Sequence, residues 1–237
     1  MEKLNINNII SEELKTVLEA REKYGEFYSL ASNLCSFLFE FINSVTKEGM
    51  LFHAFYTSSS KSLCLAFLSI LRKHNYQSHL MIRNALEYIA LACYALYRSN
   101  ISEFGNFINE SEFESNEKVK NKAFKWLKKE YPKETLELKS LSNNINCFFA
   151  HANLNNTKFN LEYHQGRIDT HFTDIIDDSS VRNQIGGFCK LVLMLLRLIV
   201  KVVSDYPIIS FSDSFDSSIS NFMVKYNNIA SSKDLPK

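Results

Sequence analysis

Chain-breaking residues are scarce in this sequence: six glycines and three prolines in 237 residues. That scarcity excludes a many-turned β architecture and favours long helices. Charge of one sign is also missing, since 27 Lys and Arg stand against 26 Asp and Glu for a formal net charge of +1. A general polyanion binder is disfavoured, although a local basic patch is compatible with that balance. The five cysteines, Cys35, Cys64, Cys93, Cys147 and Cys189, contain no C-x-x-C pair. Each lies in or beside an apolar run, where a free Cys acts as a small hydrophobe. A disulfide framework or zinc knuckle is not expected, and a reducing cytoplasmic setting is.

Long hydrophobic runs are lacking too. The oiliest late stretch, Phe188 to Val203, is interrupted by Lys190, Arg197 and Lys201. A membrane span needs about 20 apolar residues with few charges, so this stretch predicts a core helix and no membrane association. Met1 to Lys15 carries no apolar signal-peptide region. Phosphate-cradling glycine loops, dinucleotide fingerprints, the G-x-S-x-G elbow, H-E-x-x-H and EF-hand loops are all absent. No cofactor is implied.

What is present reads as a single all-α domain over residues 1–237, an antiparallel bundle of long helices with a small β-hairpin inserted near 158–172. Apolar spacing predicts helices at about Ile9–Val45, with a kink at Gly25, then Leu51–His74, with Asn75 as a left-handed cap, and Gln77–Arg98. The short break between the last two predicts a hairpin of helices. Ile101 to Asn109 predicts a short helix or ordered loop, followed by a polar connection. Two further helices are expected, one capped by Ser115 and stopping near Pro132, one from Pro132 to about Ala152.

Alternation of Phe159, Leu161 and Tyr163, then Ile168, Thr170 and Phe172, predicts the hairpin, turned at Gln165-Gly166. A two-stranded ribbon is barely stable alone, so it should lie on the helices. Asp177 to Ser180 starts a long helix ending before Pro207. The Gly186-Gly187 pair inside it marks a close helix contact or a later start. Ser212 or Asp213 caps a last helix to about Ile229, and residues 231–237 form a frayed tail.

One stripe carries unexpected polarity. His79 to Tyr97 is almost entirely apolar, except for His79, Arg83 and Glu87, spaced four apart on one helix face, and Asn84. An oily helix is normally buried, and a buried charge without a partner is costly. The stripe is therefore a structural network across helices or a site opening onto a cleft. An intrahelical pair is a poor reason for it, because Arg preceding Glu is the weaker order and gains only about 0.2–0.5 kcal/mol.

A second candidate is His151, at the apolar end of the helix after Pro132. It can cap carbonyls there or act as an acid or base near neutral pH. Lys118, Lys120, Lys122, Lys125, Lys128 and Lys129 surround Trp126. A basic face with an aromatic can meet nucleic acid, but a solvated face is the plainer reading. His164 and His171 flank the hairpin turn. A metal there would need Asp169 and Asp174 as further ligands, and a solvated hairpin is preferred, so no metal site is assigned.

The paired long helices, Arg83-x-x-x-Glu87, and the later segment Leu141-Ser-Asn-Asn-Ile-Asn-Cys-Phe-Phe-Ala-His-Ala-Asn153 resemble bacterial helical proteins of the HEPN superfamily. More closely, they resemble an uncharacterised branch carrying Arg-x-x-x-Glu and a later His. The likeness covers roughly Leu51 to Asn155. It implies a compact helical fold, often a homodimer, and RNA as partner. It also implies metal-independent ribonuclease activity in phage defence or beside an antitoxin. Arg83, Glu87 and His151 would be catalytic, with His79, Asn84, Asn146 and Asn153 binding. The sequence departs from the family's Arg-before-His pattern, since Asn144, Ile145 and Asn146 occupy the places where that Arg would fall. None can clamp a phosphate as Arg does. Arg83 would have to supply the cation. The alternative is a non-catalytic helical interaction protein in which Arg83 and Glu87 form a core network.

Overall fold

The computed structural model describes residues 5–109, 112–148 and 160–231. These residues are mostly helical, in seven α-helices with three two-stranded antiparallel ribbons. The helices are α1 (Ile6–Glu40), α2 (Met50–Leu71), α3 (Asn75–Tyr97), α4 (Lys118–Glu130), α5 (Pro132–Phe148), α6 (Asp178–Asp205) and α7 (Phe215–Ser231). The ribbons pair β1 (Ile42–Val45) with β6 (Ile209–Phe211), β2 (Gly105–Phe107) with β3 (Phe113–Ser115), and β4 (Leu161–His164) with β5 (Arg167–Thr170). No helix among the described residues is long and apolar enough to cross a membrane.

α2 and α3 fold back on each other as their spacing predicts. Small residues let the backbones approach, and Ser59, fully buried, donates its hydroxyl across the contact to the Ala85 carbonyl at 3.0 Å. Buried Ser60 and Ser69 bond the carbonyls one turn back, of Tyr56 and Leu65. Their hydroxyls are thus satisfied inside an apolar contact.

The reversal between these helices takes three residues. Lys73 adopts the left-handed conformation there (φ 59°), the role expected of Asn75. Asn75 instead begins α3, buried, and its N–H donates to the Asp174 carboxylate at 2.6 Å. Lys73 is held in place because its backbone carbonyl accepts from the Asp174 N–H, while its ammonium donates to the Ile176 carbonyl at 2.9 Å. On the α1 side, His74 donates to Glu13 at 2.6 Å. Burial pushes the pKa of Asp174 up from the usual carboxylate value, against the pull of the Asn75 N–H and of His74.

The structure corrects several sequence expectations. α1 ends at Glu40 rather than Val45, because β-branched Ile42 and Val45 pair with Phe211 and Ile209. Gly25 does break the helix, with φ 53° and ψ −120°. Ile101–Glu103 forms the short helix expected there, as one 3-10 turn, but the β2–β3 ribbon follows where the rest of that segment and a polar connection were expected. Ser115 belongs to β3, and Asn116 accepts from the Lys118 N–H in its place.

The β4–β5 hairpin turns at Gly166 (φ 77°) with Tyr163 opposite Ile168. It does not lie flat on the helices, since Tyr163 and Ile168 are 71% and 58% exposed. It meets them near its base, where Phe172 packs edge-on against His74. Phe159 and the 232–237 tail lie outside the described residues, as does Ala152, the expected end of α5.

The core runs along α1, α2, α3 and α6. At one end an aromatic cluster of Phe37, Phe41, Tyr56, Phe211, Phe215 and Phe222 joins α1 and α2 to the β1–β6 ribbon and α7. The glycine pair in α6 splits in role. A Cβ on Gly186 would lie 3.2 Å from Phe27 of α1, so this glycine is a close helix contact, whereas one on Gly187 would meet nothing within 4 Å. Gly187→Ala should therefore raise stability by about 1 kcal/mol, the helix-propensity gain. In thermal melts that is a rise of roughly 2–4 °C for a chain of this size. Gly186→Ala should gain less or lose stability.

Candidate nucleic-acid interface

The polar stripe of α3 opens onto a cleft. Helix phase decides this: Asn75, Ser78, Ile82, Ala85, Leu86 and Ile89 point into the core, which leaves Arg83 and Glu87 on the flank facing α4 and α5. Arg83 Nε donates to Glu87 Oε1 at 3.3 Å, and Lys120 of α4 donates to Glu87 Oε2 at 3.1 Å. The two α3 side chains are 33% and 28% exposed, so they are not a dry core network.

The cleft has a volume of about 500 Å³. Four lysines join Arg83 around it: Lys120, Lys125 and Lys128 from α4, and Lys139 from α5, with Glu87 the one acidic lining residue among the described residues. Among the described residues no carboxylate is within ion-pair distance of Lys125, Lys128 or Lys139. Asn121, Ser142, Asn143 and Phe124 complete the wall with amide, hydroxyl and aromatic groups.

A second cleft of about 760 Å³ adjoins the first, sharing Lys120 and Asn121. Phe55, Tyr88 and Phe104 line it beside Glu117 and Lys118, and Tyr88 is exposed. The result is a groove, cationic at one end and aromatic at the other. Cations hold phosphates and aromatic faces stack bases, so such a groove suits an anionic strand.

The other sequence candidates are placed differently. His79 lies one turn before Arg83, turned toward its own helix, where Nδ1–H donates to the Asn75 carbonyl at 2.7 Å. Burial depresses its pKa below the usual imidazole value, and it does not line the cleft. Asn84 is exposed on another face of α3. Asn146 falls within α5, but its side chain is outside the described residues, as are His151 and Asn153.

On the hairpin, Nε2 of His164 and of His171 come to 3.7 and 3.4 Å from Glu162, and His164 to 3.5 Å from Asp169. Among the described residues no group of three or more His, Cys, Asp or Glu is arranged to hold a metal ion. Asp174 sits instead at the start of α3.

Sequence reasoning weighed the α4 lysines as a nucleic-acid face but preferred a solvated one, and did not assign them or Lys139 to the site. Trp126, around which they were read, is turned away into a cluster with Tyr94, Tyr97 and Tyr131. The usable signal was the spacing Lys120, Phe124, Lys128, one helical stripe, with Lys125 beside it. Searches against protein-family models, curated proteins and solved structures return no match to this chain.

A pair this exposed contributes little to folding, and surface pairs are typically worth about 0–1 kcal/mol. Arg83→Ala and Glu87→Ala should each shift the urea-unfolding free energy by less than about 1 kcal/mol, against the 3 kcal/mol or more expected on breaking a buried pair.

Proposed function

We propose that this chain is an RNA-binding helical protein whose ligand lies along the α3–α4–α5 groove. The observation that carries the reading is the gathering of Arg83, Lys120, Lys125, Lys128 and Lys139 in one cleft of a chain whose net charge is only +1. The phosphates sit at the cationic end and an unpaired base stacks over the Tyr88 end, which favours a single strand over a duplex. Metal-independent cleavage in a bacterial defence or antitoxin-controlled setting, as the HEPN resemblance implies, extends this reading. In it Arg83 holds the scissile phosphate, Glu87 orients Arg83, and His151 moves the proton.

Binding of a fluorescent single-stranded RNA, followed by anisotropy across a salt series, tests the reading. Replacing Lys125, Lys128 and Lys139 together by Ala should weaken binding at least tenfold and lower the salt slope by about 2, since each single-strand phosphate contact contributes about 0.7. Unchanged affinity and slope would overturn it. His151→Ala should keep binding and lose cleavage.

A second reading, a non-catalytic interaction protein working as a homodimer, is favoured by a different surface. Ile6, Ile10, Leu14 and Leu18 are 63%, 56%, 57% and 71% exposed along α1 before its break. A strict four-residue spacing forms the ridge that packs helices at about −50°, so two copies would cross rather than coil. Light scattering should then give a dimer for the natural chain and a monomer for Leu14→Glu. A monomer in both cases excludes this use of the stripe.

A further inference from the structure

Cys35 of α1 and Cys64 of α2 meet across the contact between their helices. The Cys64 sulfur approaches the Cys35 carbonyl oxygen at 4.0 Å, and both residues are half-buried, reachable from solvent. The neighbouring Cys35 thiol lowers the pKa of Cys64, while the Cys64 thiol and burial together raise that of Cys35. Cys93 and Cys189 behave otherwise: both are buried, and burial pushes each thiol up to about 12. A thiolate is the reacting form, so reactivity follows thiolate character and access together.

We propose that Cys35 and Cys64 form an oxidisable dithiol, a modification site at which a peroxide closes a disulfide tying α1 to α2. The Cys64 thiolate attacks one oxygen of hydrogen peroxide, the O–O bond breaks, and hydroxide leaves and takes up a proton as water. The Cys35 sulfur then attacks the sulfenic sulfur of Cys64, and the S–O bond breaks with loss of a second water. In sum, two thiols are oxidised to a disulfide and one peroxide is reduced to two waters. The bridge fastens the part of α1 that follows the Gly25 break onto α2. Oxidation therefore stiffens the α1–α2 contact. This inference does not depend on the RNA-binding reading.

Intact-mass and peptide analysis of the full chain, treated with hydrogen peroxide and then alkylated under denaturing conditions, tests it. The expected product has lost two hydrogens, carries a cross-link between tryptic peptides 24–47 and 62–72, and reverts with dithiothreitol. Cys93 and Cys189 should remain fully alkylated. Cys64→Ser should abolish the cross-link, whereas Cys35→Ser should leave Cys64 trapped as its sulfenic acid, detectable with a dimedone probe. The oxidised natural chain should also melt several degrees above its reduced form, with no such difference in Cys64→Ser. Retention of both thiols at peroxide doses that oxidise methionine would overturn the proposal. So would a bridge to any other cysteine.

Discussion

The direction of every side chain on α3 is set by the three-residue reversal that follows α2. A turn this short works only because Lys73 adopts a left-handed backbone, and that conformation is over-determined from outside the turn. Asp174 grips the first N–H of α3, and Glu13 grips His74. With Asn75 fixed as the buried first residue, the 100° step of the helix puts Ala85 against Ser59 and turns Arg83 and Glu87 toward α4 and α5. A different length of reversal would rotate the same residues into the core or out to bulk solvent.

The electrostatics of the groove rest on the same geometry. A carboxylate flanked by two cations is satisfied without desolvating any of them fully, so the site costs the fold little. Glu87 neutralises Arg83 and Lys120 only in part, and among the described residues the lysines further along the α4–α5 wall have no acid within ion-pair distance. The cleft thus holds surplus positive charge in a chain that is nearly neutral as a whole. Attraction of this kind falls with added salt, because the charges face water.

Much of the helical framework was legible from periodicity. The α2–α3 hairpin, the stop before Pro132, the Asp177 cap and the Gly166 turn all rest on local rules, and the structure contains each of them. Pairing between distant segments was not legible. Ile42–Val45 continues the apolar rhythm of α1, and only Ile209–Phe211, far along the chain, makes it a strand. The three-residue strands β2 and β3 are too short to show a period, and polar Asn106 and Glu114 hide them further. Arg83 and Glu87 stood out because they interrupt an oily helix. The α4 lysines were visible as a basic run but read as ordinary solvated surface; only the third dimension brings Lys120, Lys125 and Lys128 together with Lys139 around Glu87.

The β1–β6 ribbon has a bearing on how the chain is made. Its Ser44–Ser210 hydroxyl contact spans 166 positions, and Phe41 packs against Phe211 and Phe215 from the far end of the sequence. Contacts so distant in sequence close slowly, since the intervening chain must first be ordered. On the ribosome, α1, α2 and α3 are complete long before residue 211 emerges, at a synthesis rate of about 5–20 residues per second. During those seconds the Phe37–Phe41 end of α1 is sticky and uncapped, and a chaperone or an early-arriving neighbour would find its opening there rather than in the finished molecule.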